Sequence, residues 1–391
     1  METLFWTSAF IIAYTFVGYG ILITLLARLR KKTALPTLAN EDLPEVTLVV
    51  AAYNEADIIE AKVNNCLSLD YPADKLKLLF VTDGSDDGTH ELIQRHPEVR
   101  VFHQPERQGK IAAVNRIMPY VSTAITIFTD ANVMINSEGI KSMVKHFQSS
   151  MVGAVSGEKR VISNQSDQAS ASGEGFYWKY ESFLKRKDAE WNTLVGAAGE
   201  LFAIRTHLYK PVASDVLIED FIMTMDIAAS GYKVAYEPGA IASETASSNI
   251  AEETKRKVRI AAGGLQAVIR LWSLLIPFQK AKLSFQYLSH RVLRWTAMPV
   301  AMLTALMTNA ALINHHLVYM AMFMAQVAFY LLAFFGYLFQ NKTIRLKGFF
   351  APYYFVFMHI CVVRGWFRYL SGKQQVTWEK AKRVTMELNQ Y

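Results

Sequence analysis
The chain has 391 residues, 52% of them hydrophobic and only two of them cysteine. That length suits one large domain or two ordinary ones. Cys66 and Cys361 lie far apart, which excludes a disulfide framework or a cysteine-ligated metal cluster and fits a reducing compartment. The net charge of +7 permits a nucleic-acid partner, but no zinc-ligand cluster or regular basic-aromatic pattern supports one. Anionic membrane lipid and a phosphate-bearing substrate account for it better.

The mean hydropathy of +0.14 is high for a soluble protein, and the excess sits at the two ends. Residues 4–26 form a nearly unbroken apolar run without a charge. It is long enough to span a bilayer and too long for a signal-peptide core. Arg28, Arg30, Lys31 and Lys32 follow at once, so the positive-inside rule puts the next part of the chain in the cytoplasm. Residues 1–32 are thus an expected transmembrane helix with a basic stop, and 33–45 a linker.

Residues 46–255 read as an α/β domain. Strands are expected at 47–52, 77–82, 100–103, 125–129 and 153–156, alternating with helices at 57–67, 89–94, 110–118 and 138–147. That alternation predicts a Rossmann-like, mostly parallel sheet. Three strands end abruptly in polar residues: Asn54 and Glu55 after the first, Asp83, Ser85 and Asp86 after the second, Asp130 and Asn132 after the fourth. Parallel strands deliver such groups to the carboxyl edge of the sheet, where a polar ligand with a metal or a sugar is expected. An amphipathic helix is expected at 173–187, carrying Tyr177 and Trp178, and another helix at 221–229.

Beyond residue 255 the composition changes. Residues 256–295 are expected to form interfacial amphipathic helices, and 296–391 a carboxyl-terminal transmembrane region with a basic tail. Spans are expected at 296–313 and 317–339, and a shorter apolar run lies at 349–363. A third span there would put the basic tail outside, against the charge rule. Either 349–363 is re-entrant or interfacial, or the rule is overridden; a cytoplasmic tail is expected.

Taken singly, the polar clusters have ordinary alternatives. Asn54 and Glu55 also fit a helix cap, and Asp83–Gly88 a tight turn. Lys110 fits a surface lysine, Asp130 a strand cap, and Glu219-Asp220 the acidic start of a helix. Together, however, they stand in the order of a known family. Ala52-Tyr53-Asn54-Glu55, Asp83-Gly84-Ser85-Asp86-Asp87-Gly88-Thr89, Gly109-Lys110 with Asn115, Asp130-Ala131-Asn132, the segment 196–205 and Glu219-Asp220 resemble membrane-bound family 2 glycosyltransferases. These are inverting GT-A enzymes that include cellulose, chitin and hyaluronan synthases.

The resemblance implies a fold, a reaction and a set of roles. The fold would be a GT-A α/β cytoplasmic domain with α-helical transmembrane segments, in a multi-pass protein of the cell (inner) membrane. The donor would be a nucleotide sugar, UDP-linked, and the acceptor lipid-linked or a glycan. Tyr53, Glu55 and Asp83 would bind the donor, Asp83 accepting from a uracil N–H. Lys110, Arg256 and Arg259 would face its diphosphate. Asp130 and Asn132 occupy the place of the D-x-D motif and would hold Mg²⁺ or Mn²⁺, with one amide where the family has a carboxylate. Ile218-Glu219-Asp220 matches the T-E-D segment, which makes Glu219 and Asp220 the expected catalytic pair and Asp220 the general base. Gly196, Gly199, Glu200 and Trp178 would meet the acceptor, although Trp178 and Tyr177 equally fit ordinary packing.

One departure bears on product length. Processive members carry Q-x-x-R-W where this chain has Arg256-Lys257-Val258-Arg259-Ile260. The Gln and the Trp are missing, so single-sugar transfer is expected ahead of a processive exopolysaccharide synthase. A transporter with a nucleotide-binding domain is disfavoured by the lack of ionisable residues in the spans. A catalytically dead scaffold is disfavoured by the presence of Asp130, Asp220 and Arg259.

Overall fold
The computed structural model describes residues 1–30, 38–162, 168–245, 249–276, 280–340 and 347–374. The chain divides into two units: Met1–Arg30, Ser163–Lys187 and Asn249–Gln374 in one, and the remaining segments in the other. The segment Ser163–Lys187 therefore groups with the helical ends of the chain, although it lies in the middle of the sequence.

The second unit is built on one eight-stranded sheet. Its strands are β1 (Val46–Ala52), β2 (Leu76–Asp83), β3 (Val99–Gln104), β4 (Ile125–Asp130), β5 (Met134–Ile135), β6 (Val152–Ile162), β7 (Leu201–Arg205) and β8 (Lys233–Thr245). The spatial order is β3-β2-β1-β4-β7-β6-β8-β5. Strands β1 to β4 are mutually parallel and β7 runs against β4. The four parallel strands are the runs expected from sequence. β1 is apolar almost throughout because helices cover both its faces, as parallel sheets require. Val46, Leu48, Val50, Ile127, Phe80 and Leu201 are among its sheet core.

Register decides what reaches the edge. Ala52 pairs with Thr82, one residue before Asp83, and Ala51 pairs with Asp130. The ends of β2, β1 and β4 therefore lie side by side. Leu201, the first residue of antiparallel β7, pairs with Thr129. An antiparallel strand starts where its parallel neighbour ends, so the 196–200 loop arrives beside Asp130. Strands β6 and β8 pair in parallel over a long run that includes Lys159 opposite Ala242.

The first unit is helical. The helix Glu2–Arg28 and the helix Leu317–Phe339 are long and apolar enough to cross a membrane. The helix Ala297–Leu312 has 16 residues, about 24 Å, which is short of a span. It forms a pair with Ala281–Trp295, bent by 58°, and counts as a third span only with that partner. The run expected at 349–363 lies within a continuous helix, Lys347–Leu370. Phe5, Leu312 and Tyr319 pack together, and Asn309 Nδ2 donates to Gln326 Oε1 at 2.9 Å. Glu181 is buried and pairs with Arg291 at 2.7 Å and Arg294 at 3.0 Å, with His290 Nε2 at 3.4 Å. A helix taken from mid-sequence is thereby tied to the segment that enters the apolar helices.

Candidate active site
All of the site described here lies in the α/β unit. Its first wall is the turn after β1. Asn54 adopts φ 52, a left-handed conformation that Asn tolerates better than most residues. Asn54 Nδ2 donates to Asp86 Oδ1 at 2.8 Å, and Asp86 N–H returns a bond to Asn54 Oδ1 at 3.0 Å. The backbone N–H of Glu55 donates to Thr89 Oγ1, and that of Ala56 to Asp87 Oδ2. Asn54, Asp86, Asp87 and Thr89 thus lock the ends of β1 and β2 together and place Tyr53 and Glu55. The Arg107 guanidinium lies 3.7 Å from the centre of the Tyr53 ring, a cation–π contact absent from the sequence reading.

Asp83 is buried at the end of β2. Its Oδ2 accepts from the N–H groups of Gln108 and Gly109, at 3.0 and 2.6 Å. Its Oδ1 has no hydrogen-bond partner and faces Arg116 at 3.6 Å. Arg116 is itself held by Gln104 and the Thr82 carbonyl. Asp83 therefore fixes the loop that leads into the helix Lys110–Ile117 and keeps one acceptor oxygen uncommitted. Asn115, on that helix, bonds both the N–H and the carbonyl of Val212 and the hydroxyl of Tyr209.

At the centre stands Lys110. Its Nζ is 2.7 Å from Asp130 Oδ1 and 2.8 Å from Glu219 Oε1. Burial would lower its pKa, but the two carboxylates outweigh that and hold the ammonium above its ordinary value. Asp220 follows Glu219 in the first turn of the helix Glu219–Ala229. Its pKa is pushed up to about 7, first by burial and then by the Glu219 charge; Lys110 opposes the rise and Glu200 adds to it. A carboxylate with a pKa near neutrality is suited to accepting a proton at physiological pH.

Two glycines in the 196–200 loop make room for this helix. Gly196 has φ +80, and a Cβ there would lie 2.0 Å from the Phe221 ring, so both backbone and space demand glycine. A Cβ on Gly199 would come within 3.1 Å of Asp220 Oδ2. Glu200 pairs with Lys159, and Lys159 also pairs with Glu244. Lys159 is buried on β6. The sequence offered no signal for it, because β8 and its partner Glu244 were not expected.

Tyr53, Glu55, Asp83, Lys110, Asp130, Asn132, Gly196, Gly199, Glu200, Glu219 and Asp220 thus belong to one sheet edge and its loops. Arg256, Arg259 and Trp178 belong to the helical unit. Arg256 makes a two-pronged pair with Glu253. Trp178 lies under the ammonium of Lys257, which also faces Tyr177 and Tyr354.

Among the described residues, no three His, Cys, Asp or Glu side chains converge to hold an ion. Asp130 and Asn132, with Ala131 between them and both half-buried, offer hard oxygen donors of the kind Mg²⁺ or Mn²⁺ takes. That donor set fits a cation shared with a ligand such as a diphosphate and does not make a self-sufficient protein cage.

This fold and edge define a GT-A glycosyltransferase. The sequence matches the model of glycosyltransferase-like family 2 over residues 44–263, and the chain belongs to that family. It is 28% identical over 250 residues to the poly-beta-1,6-N-acetyl-D-glucosamine synthase of Staphylococcus aureus; the alignment covers 60% of this chain and 58% of that protein. Identity to the Staphylococcus epidermidis protein of the same name is 25% over 294 residues, covering 71% of this chain and 68% of the relative. The chain thus spans less than two thirds of the length of the first of these. Among solved structures, a mannosyltransferase from Pyrobaculum calidifontis in complex with GDP-Man and Mn²⁺ superposes with a TM-score of 0.72. It has 24% identity and covers 95% of this chain and 100% of its own, which establishes a common fold.

Proposed function
We propose that the protein is a membrane-bound inverting glycosyltransferase. It moves a hexosyl or N-acetylhexosaminyl group from a UDP-linked donor to a lipid-linked or polysaccharide acceptor at the cytoplasmic face of the cell membrane. The observation that carries this reading is the convergence of Lys110 on Asp130 and Glu219, with Asp220, raised to about 7, in the next position. In this reading the GT-A domain runs from 46 to 255, the helices of 256–295 lie at the interface, and Arg256 and Arg259 serve the diphosphate.

Asp220 takes the proton of the acceptor hydroxyl as that oxygen bonds to the anomeric carbon. The bond from that carbon to the diphosphate oxygen breaks, and its electron pair leaves with UDP. One base on the face opposite the leaving group gives inversion. Lys110 is placed to share its charge with the diphosphate, and Asp83 fixes the loop that leads into its helix. A divalent ion held by Asp130 and Asn132 would offset charge on the departing diphosphate.

Processive polysaccharide synthesis is the second reading, favoured by the names of the staphylococcal relatives. The missing Gln and Trp around Arg259 favour single transfers instead. The donor is tested by giving purified protein in lipid a panel of UDP- and GDP-sugars and measuring released nucleotide. Turnover with UDP-sugars is expected. Turnover confined to GDP-sugars would overturn the donor assignment, and none with any donor would overturn the reaction.

A further inference from the structure
Lys62 is fully buried, on the helix Ile59–Leu67 that follows Tyr53-Asn54-Glu55. Its Nζ donates to the Val133 carbonyl at 2.5 Å and approaches Thr129 Oγ1 at 3.5 Å. A buried ammonium is costly to maintain, and burial lowers its pKa, opposed by charges that include Asp130. Packing alone does not call for it: methionine has a similar length and would fill the space without a charge.

Its partners show where its effect falls. Thr129 and Val133 bracket Asp130-Ala131-Asn132. The turn is closed by Val133 N–H to the Asp130 carbonyl at 3.3 Å, and Ala131 N–H bonds the Ala51 carbonyl at 3.2 Å. Ala131 and Val133 are buried, while Asp130 and Asn132 are half-buried. Thr129 Oγ1 also donates to the Glu200 carbonyl at 2.9 Å. The buried side of this turn is therefore held by Lys62 at Val133 and by β1 at Ala131, while Asp130 and Asn132 stay half-buried.

We propose that Lys62 is a positioning residue that sets the Asp130–Val133 turn for cation binding, coupling the helix after the first strand to the oxygen donors of Asp130 and Asn132. The proposal rests on the reading of Asp130 as a metal ligand. Removing the ammonium frees the Val133 carbonyl and lets the turn relax, which weakens cation binding without touching the nucleoside wall.

The test is Mn²⁺ affinity of the protein in lipid with UDP at saturation, measured by electron paramagnetic resonance, together with metal-free UDP affinity by calorimetry. Lys62→Met and Lys62→Gln are compared with Asp130→Ala. Asp130→Ala should lose Mn²⁺ binding; if it does not, the metal reading fails and takes the proposal with it. In each Lys62 variant that keeps the wild-type circular dichroism, Mn²⁺ affinity should fall at least fivefold, more for Met than for Gln, while UDP affinity stays within twofold. Wild-type Mn²⁺ affinity in a folded Lys62 variant, with binding lost in Asp130→Ala, overturns the inference alone. Failure of both Lys62 variants to fold also overturns it, since Lys62 would then be a core residue without a separable role.

Discussion
Lys110 and Asp130 are joined at 2.7 Å across the edge of the sheet, one from the helix after β3 and the other from the end of β4. The same ammonium reaches Glu219, so one lysine links the proposed donor side to the helix that carries the proposed base. Lys110→Met keeps most of the side-chain volume and removes that link. UDP affinity should fall about tenfold or more, in the range of a lost charge-assisted contact. Lys110 also holds the Asp220 pKa down, so the acid limb of the pH–rate profile should move to higher pH in the variant. Calorimetry and a pH series check both effects.

Gly199 sets the position of Asp220. In Gly199→Ala the new methyl group must push the carboxylate by a few tenths of an ångström, because a Cβ there lies 3.1 Å from Oδ2. Misplacement of a reacting group is expensive even at this scale. Turnover should drop on the order of tenfold, with donor KM little changed. Steady-state kinetics separate this from a general packing defect, which would move both.

The Asp130–Asn132 pair contains one carboxylate. Transfer should require Mg²⁺ or Mn²⁺, Asp130→Ala should be inactive, and Asn132→Asp should lower the metal concentration for half-maximal activity, since an added charge tightens oxygen-ligand sites. A metal titration after chelation reads each outcome. Full activity in excess chelator would remove the ion from the reaction.

Much of this edge is legible in the sequence, for a physical reason. β1, β2 and β4 are buried on both faces, so they read as β-branched runs that stop sharply at polar residues, and the stops are the site. β8 is less legible. Lys233–Thr245 contains Glu237, Pro238 and Gly239, which resemble a loop; β6 pairs with the residues on either side of them. The bond from Lys110 to Glu219 joins residues far apart in sequence and follows only from the sheet order. Lys62 did leave a signal: it shares the buried stripe of Ile59, Val63 and Cys66, where a lysine is out of place. The grouping of Ser163–Lys187 with the terminal helices depends on Glu181 finding Arg291 and Arg294, which no local pattern encodes.

Product length follows from the segment 256–260. Without an aromatic floor, an extended acceptor loses a stacking contact of roughly 1 kcal/mol and should leave after each transfer. Purified protein with donor and a short acceptor should yield products one sugar longer, and Arg259→Ala should slow turnover. A ladder of high-molecular-weight polymer made without a partner protein would establish the processive reading.

Asp220 is the proposed base. Its folded pKa, about 7 against an ordinary 3.8, has two consequences. Activity should rise with pH through 7 as the carboxylate forms. Stability from this group is complete below the ordinary pKa and is lost as pH rises through the folded one, so Asp220→Asn should melt higher than wild type above pH 7. The most direct measurement is single-turnover transfer by purified Asp220→Asn, with UDP affinity measured on the same sample. UDP affinity within about twofold of wild type and transfer slowed on the order of a hundredfold or more are expected. Near-normal transfer by a folded, UDP-binding Asp220→Asn protein would contradict that role.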